Sequence, residues 1–410
     1  MKRIDSIDVL RALAIIFMVL CHFPVNLSPV DGQYPWVYFF SNHIIGDFAA
    51  AIFLVLVGVS QVLSSSKTGY VPISAQFWKD RAIRRGVLIF VIGLIFSMLM
   101  RGWEAIFEWD ILTLIGASLI VIRLLGRLPA FGFLLVGLIF ISPSPFLREY
   151  SQYLQHWGNS MTTVPGINEI LPGILYDPTG EYVPTWSIQE IVEGFFVEGY
   201  FPIFPWLFFP LFGVFLGKAS FMQSQEKTPD TRLHIVFMIA GGFALSIIGT
   251  VISFAARTKP PLSVVNEYIS PFSFYPSTLS MQLLQLGMVL ILFGILRACY
   301  DHGARESVWL TYCRRLSRYS LTVYVLHHAV MLWPMWLIGG IAEGPWDQFY
   351  AQAINEPLAL SLSILVMILL GPALGVWDRV QGKFSLEWCL TKLAGAGPAR
   401  YFFAQTISCG

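Results

Sequence analysis

Two ionisable side chains, Arg11 and His22, sit in the first apolar stretch of the chain, DVLRALAIIFMVLCHFPVN from Asp8 to Asn26. Eleven positions apart, they return to within roughly 20° on one helical face and stand about 16 Å apart along the axis. A guanidinium presents a planar donor fork suited to phosphate. An imidazole with an ordinary pKa of about 6.5 is suited to take a proton from a hydroxyl or an amine. In an apolar span both need a partner or a water-filled cavity, which makes each a functional hypothesis. Asp47, at the head of the second apolar stretch, is placed to orient His22 or to stabilise its protonated form. Asn26, one turn beyond His22, is a candidate acceptor contact, and Asp8, three residues before Arg11, is expected to hold its side chain.

Other residues compete for these roles. His43, close to Asp47 and next to Asn42, is either an alternative base or a polar residue of the connection. His327 and His328 lie in a later apolar stretch, and because adjacent helical residues point about 100° apart only one is expected to line the same pocket. The clusters Arg81, Arg84, Arg85 and Arg314, Arg315, Arg318 suit anionic phosphates, and anchoring at the inner membrane face explains them as well. Trp206 belongs to a set of aromatics at span ends, with Trp36, Tyr38, Trp186, Trp333 and Trp336, whose ordinary role is interfacial anchoring; it is also a candidate substrate contact. Glu193 and Glu198 are expected to be solvated carboxylates of a loop. The bland rivals are an interhelical hydrogen bond worth about 1 kcal/mol for His22 and a snorkelling side chain for Arg11.

The elements that must position these residues are membrane helices. Of 410 residues, 56% are hydrophobic and only 12% charged, a profile outside that of soluble domains. A net charge of +1 without a separate basic region sets nucleic-acid binding aside. Ten spans are expected, at roughly 8 to 27, 46 to 64, 83 to 100, 110 to 125, 129 to 142, 202 to 218, 235 to 255, 279 to 297, 319 to 338 and 358 to 377. The fold class is therefore all-α: a polytopic bundle of about ten transmembrane helices. With both termini cytoplasmic, only Arg101, Arg148, Arg257 and Lys259 of the 26 basic residues fall outside, the asymmetry that orients membrane proteins. Lys2, Lys79, Lys227, Arg305 and Arg400 count among the inner ones. Arg11 then lies near the cytoplasmic end of its helix and His22 toward the outside.

Two outer segments, Pro143 to Tyr200 and Ala256 to Thr278, are rich in Pro, Gly and aromatics. The first is too long for a bare connection, so a folded cap is expected. Cys21, Cys299, Cys313, Cys389 and Cys409 show no metal-type spacing. Cys21 lies within a span and the other four on or near the cytoplasmic side, so no disulfide framework is expected. No metal is expected either. The opening MKR and apolar run lack a cleavage site and contain Arg11, which points to a retained helix.

The opening RIDSIDVLRALAIIFMVLCHF resembles the start of membrane acyltransferases of the heparan-α-glucosaminide N-acetyltransferase type and of the acyltransferase-3 family, with their S-x-D-x-x-R-(G/A)-(L/I)-A pattern. Arg11, ten residues, then His22 looks like the Arg-x10-His motif of bacterial members. GDFAAAIFLVLVGVSQVLS is similar to the D-x-x-x-P-x-F-x-F-x-x-G-x-S element through Asp47, Phe53, Gly58 and Ser60, with Ala51 in the place of proline. GYFPIFPWLFFPLFGVFLGK resembles an F-P-x-x-P-W element, and LSRYSLTVYVLHH a G-x-x-S-L-x-x-Y-x-x-H segment whose single His favours His328 here. The resemblance covers residues 4 to 378.

What the resemblance implies is an acyl-CoA-dependent acyltransferase in the inner membrane of a bacterium. An acyl group, acetyl in the simplest case, passes from cytoplasmic acyl-CoA to a sugar or glycan of the cell envelope. His22 would be the general base, with a covalent acyl-histidine as the variant, and Arg11, Arg81, Arg84, Arg85 and Arg315 would meet the donor. Asn26, Asn42 and Trp206 would meet the acceptor. Residues 1–378 would form the transmembrane domain, with the loop 143–200 outside, and 379–410 a short cytoplasmic tail. The partners are then the lipid bilayer, acyl-CoA and the glycan, while self-association as a homo-oligomer stays open. The competing class is a transporter or flippase that uses Arg11, His22 and Asp47 for proton coupling; no internal repeat of the transporter kind supports it.

Overall fold

In the computed structural model, residues 3–29, 32–68, 78, 80–184, 186–221, 231–257, 268–301, 306–341 and 354–394 are described. Lys2, Lys79, Lys227, Lys259, Arg305, Arg400 and Cys409 fall outside them. The main elements are helices: α1 Asp5–Leu27, α2 Asp47–Thr68, α3 Arg81–Arg101, α4 Ile111–Leu124, α5 Ala130–Ile141, α6 Phe208–Phe221, α7 Thr231–Ala256, α8 Leu279–Tyr300, α9 Val308–Arg318, α10 Ser320–Ile341, α11 Glu356–Arg379 and α12 Leu386–Leu393. Nine helical stretches of the described residues are long and apolar enough to cross a membrane. The ninth expected span, 319 to 338, which is not among these nine stretches, coincides with the 22-residue α10. The chain is an all-α polytopic membrane protein.

Helices are the natural answer for such a sequence, because in hydrocarbon every backbone donor and acceptor must find its partner within the segment. Their ends are closed by side chains. Asp80 accepts from Ala82 and Ile83 at the start of α3, Asp110 from Leu112 at the start of α4, and Asn355 from Leu358 at the start of α11. The fifth span runs beyond its expected end: after Ser142-Pro143 the chain re-enters a helix at Ser144–Tyr150, and Ala130–Tyr150 is one apolar stretch of 21 residues. Pro143 interrupts it without ending it, since a proline near a helix start removes only a donor that had no partner.

Close helix approach sets the bundle. A Cβ on Gly58 of α2 would lie 2.1 Å from the Pro210 carbonyl oxygen, and one on Gly213 of α6 would lie 2.1 Å from that of Val55. The two backbones touch where membrane helices use small residues. α1 is the hub: it packs on α2, α8, α9, α10 and α11 and on the π-helical turn Phe40–Gly46. By contrast α7 and α11 expose Phe237, Ile247, Val251, Ile368 and Leu369 at the periphery.

The two segments expected outside meet. Strand β1 (Met161–Thr163) pairs antiparallel with β2 (Leu175–Pro178), and β2 pairs in parallel with β3 (Phe272–Ser273). Trp157, 2% exposed, stacks on Tyr275 with ring centroids 4.8 Å apart, and its indole N–H donates to the Glu198 carbonyl at 2.8 Å. The Glu198 side chain corrects an expectation. It is fully buried rather than solvated, and it takes the His156 imidazole as partner at 3.0 Å. A carboxylate removed from water needs such a partner.

Candidate active site

α1 presents Arg11 and His22 on one face, and a single continuous track of chain, from α9 into α10, answers both. Arg11 Nη1 donates to Ser317 Oγ at 3.0 Å, and His22 Nδ1 lies 3.0 Å from His328 Nε2. The two contacts share one sequence offset, 306 residues. The 11-residue step is three turns, about 16 Å, on both helical tracks, so they run in register from one polar end to the other.

At the Arg11 end the guanidinium's hydrogen bonds among the described residues go to hydroxyls. Its Nη2 donates to Ser60 Oγ at 2.6 Å and its Nη1 to Ser317. Asp8, expected to hold Arg11 directly, instead accepts from Arg3 and, at 2.6 Å, from Ser317 Oγ. Its charge thus reaches Arg11 through a bridging hydroxyl. Asp8, Arg85 and Arg3 all lie within electrostatic reach of Arg11.

At the other end stand three imidazoles. His22 meets His328 edge to face with centroids 4.6 Å apart and His327 at 5.2 Å, and the two neighbours lie 4.1 Å from each other. The expectation that only one of His327 and His328 would share the pocket is therefore corrected. α1 crosses over the gap between the two directions, and both rings close on His22. His327 Nδ1 lies 3.2 Å from the Val323 carbonyl one turn back, which puts the proton on Nδ1 and leaves the Nε2 lone pair free. Tyr324, on the same turn of α10, packs 5.8 Å from each of His327 and His328 and donates its hydroxyl to Asp110, 2.8 and 2.7 Å from the two carboxylate oxygens. Arg101, at the end of α3, lies within electrostatic reach of His22 and His328; it donates to Tyr200 Oη at 3.1 Å and pairs with Glu108 at 3.5 Å.

A polar helix face that carries an arginine at one end and a histidine cluster at the other, within a bundle of apolar helices, is the geometry against which the sequence comparison gains meaning. The family described as heparan-alpha-glucosaminide N-acetyltransferase, catalytic, matches residues 3–251. The chain belongs to this family. No curated protein matches it. Membership in the N-acetyltransferase family makes the protein a membrane acetyltransferase in general terms. The matched range contains Arg11, His22, His43, Asp47, Ser60 and Asp110, and it ends before Ser317, His327 and His328.

Within this acetyltransferase the remaining expected residues separate. Asp47 does not reach His22. It faces His43 Nδ1 at 3.1 Å, and the other ring nitrogen of His43 faces Asp177 of β2 at 3.3 Å. Four residues apart across a helical turn, His43 and Asp47 share a face that looks away from His22, toward the cap. Asn42 joins this second cluster: its amide lies 3.3 Å from His43 Nε2 and its oxygen accepts from Cys21 Sγ at 3.4 Å. Asn26 donates back to the His22 carbonyl at 2.7 Å, which fixes its side chain against α1. Trp206, 1% exposed and packed on Phe201, Phe209 and Phe274, is core and offers no surface to a substrate. Arg315 and Arg318 both bind Asp378, at 2.9 and 2.8 Å, an ion pair that occupies them. Arg81 and Arg85 remain exposed and Arg84 half-buried on the first turns of α3.

Arg101, Asp110, Tyr324 and His327 were not among the expected site residues. An acid just before a span, as in Trp109-Asp110-Ile111, usually marks only a helix cap, and Asp110 is one. The tyrosine three residues ahead of His327 was the one usable signal, because that spacing places both rings on the same face.

Proposed function

We propose that the protein transfers an acyl group, acetyl in the simplest case, from cytoplasmic acyl-CoA to a hydroxyl or amine of a sugar on the opposite side of the membrane. The observation that carries this reading is the matched polarity of α1 and its partner track, with a part-buried guanidinium at one end and an imidazole that has imidazole neighbours at the other. The orientation follows from the distribution of Lys and Arg, which puts Arg11 on the cytoplasmic side.

Arg11, with Arg3 and Arg85 nearby, meets the phosphates of the donor. Its direct partners are neutral hydroxyls, so an arriving anion gains the guanidinium without displacing a carboxylate from it. At the far end His22 Nδ1–H donates to His328 Nε2, which directs the lone pair on His22 Nε2 to the acceptor. His22 takes the acceptor proton as the acceptor oxygen or nitrogen attacks the thioester carbonyl carbon. The carbon–sulfur bond then breaks, and the leaving thiolate receives the proton from His22. Arg101 supplies positive charge for the oxyanion that forms between these steps.

The test uses purified protein in liposomes with acetyl-labelled CoA outside and an amino sugar inside. Wild-type protein is expected to release free CoA and to label the sugar, and His22→Ala is expected to do neither. Labelling that survives His22→Ala sinks the assignment of the base. A protein that moves the sugar across the bilayer without consuming acetyl-CoA is a transporter.

A further inference from the structure

The three imidazoles of His22, His327 and His328 each offer a ligating nitrogen, and among the described residues these are the group whose donor atoms, all within 4.8 Å of one another, suit a single metal ion. Hydrogen bonding does not use up their capacity. The 3.0 Å contact joins His22 Nδ1 to His328 Nε2, whereas His327 Nε2 is buried without a hydrogen-bond partner. A buried polar atom with no partner is costly and asks for an explanation. The Nδ1 of His327 is already bound to the Val323 carbonyl, the outer arrangement that fixes the tautomer of a histidine ligand and raises its basicity. Three neutral imidazoles favour zinc, cobalt or copper over magnesium and calcium, which take oxygen ligands.

We propose that His22, His327 and His328 form a binding site for a transition-metal ion of the zinc type, and that occupancy of this site inhibits acyl transfer. The ligands are His22 Nδ1, His327 Nε2 and His328 Nε2. Only His22 has to change tautomer: its proton moves from Nδ1 to Nε2, so the lone pair that serves as base in the proposed function is lost. The inhibitory half therefore rests on that reading, while the binding half does not. The spacing argues for a reversible site and against a resident cofactor. Zinc–nitrogen bonds of about 2.0–2.1 Å hold tetrahedral ligands about 3.3–3.4 Å apart, so the His22–His328 hydrogen bond must break and the widest pair must close. Among the described residues no carboxylate joins the three imidazoles.

The experiment takes the purified full chain in detergent, with exposed cysteines alkylated, and titrates it with cobalt(II) and zinc(II). The expected result is one cobalt per chain with the visible absorption of a four-coordinate ion, displaced by zinc. His327→Ala is expected to weaken binding at least tenfold, as is the milder His328→Gln, which guards against a folding defect in the first variant. His43→Gln, in the other cluster, leaves binding unchanged. Absence of a stoichiometric cobalt complex, or binding that survives the combined His22→Ala and His327→Ala change, overturns the site. Zinc is expected to abolish acyl transfer and a chelator to restore it. Binding without inhibition overturns the inhibitory half and counts against His22 as the base, so the two readings fail separately.

Discussion

Two histidine clusters flank the C-terminal half of α1, and they differ in what the imidazoles face. His22 is surrounded by other imidazoles, with His328 Nε2 at 3.0 Å and no carboxylate on its ring among the hydrogen bonds and ion pairs of the described residues. His43 is held between two carboxylates, Asp47 at 3.1 Å and Asp177 at 3.3 Å. A ring that donates at both nitrogens has no lone pair to offer. A ring that donates at one keeps the other for chemistry. The same side chain is thus free to accept a proton at one nitrogen in one cluster and is held at both nitrogens, as a tie, in the other. The tie joins the head of α2 to strand β2 of the cap.

The largest expected effect separates these roles directly. His22→Ala is expected to lower acyl transfer by about 10²–10⁴-fold, the range for a positioned general base, while His43→Gln stays within about tenfold of wild type. Steady-state rates of CoA release on the two variants provide the check. The reverse ranking would move the chemistry to the second cluster. Arg11 sharpens the same contrast from the other end of the helix. The charge-assisted hydrogen bonds proposed between it and the donor would be worth about 1.5–3 kcal/mol in all, so Arg11→Lys is expected to raise the KM for acyl-CoA by roughly 10–100-fold, with a smaller change in kcat. A drop in kcat at unchanged KM would show that Arg11 holds the helices and not the donor.

The axis of the first cluster was legible in the sequence because it depends on one helix. The spacing of Arg11 and His22 sets their common face whatever surrounds them, and the bundle keeps it. The partners were not legible, since they depend on how α10 is rotated against α1. A 100° separation says that His327 and His328 diverge, yet a third ring placed between them touches both. Asp47 was assigned to His22 for lack of any knowledge of Asp177, which lies 130 residues on, in a β-strand of a segment with no periodicity to mark it. Trp206 misled for a similar reason. An aromatic near the end of an apolar run looks interfacial until Phe201 and Phe274 close over it. The cap was legible as a folded unit from its length and composition, but the parallel pairing of Leu175 with Phe272 was not.

The second cluster yields a smaller and different effect. Asp177→Asn removes one charge from a half-exposed pair and leaves an amide that can still accept a hydrogen bond. The expected cost is about 1 kcal/mol, seen as a lower midpoint of thermal unfolding and faster proteolysis within residues 158–180, with CoA release unchanged. If transfer falls as steeply as in His22→Ala, His43 is more than a tie and the contrast between the clusters collapses.

The smallest expected effect tests whether the first cluster is tuned from a distance. The carboxylate of Glu387, in α12, closes the start of α10. It accepts from the backbone of Leu321 at 2.7 Å, from that of Thr322 at 3.1 Å and from the Thr322 hydroxyl at 2.5 Å. Burial pushes this carboxyl above its ordinary range, and the positive end of the helix holds the charged form in place. His327 and His328 follow within two turns on the same helix, whereas His43 has no link to it. Glu387→Gln keeps one acceptor oxygen and loses the charge, worth about 0.3–1 kcal/mol at a helix start. A two- to fivefold fall in kcat is expected, with a smaller change in the KM for acyl-CoA, because Arg11 and Ser60 sit on α1 and α2 and, among the described residues, only Arg85 of the donor end lies within electrostatic reach of Glu387. The metal affinity of the three histidines should fall by a similar factor, since the same two rings move. A change confined to KM would place Glu387 with the donor end instead, and the tail helix would then serve Arg11 and not the histidines.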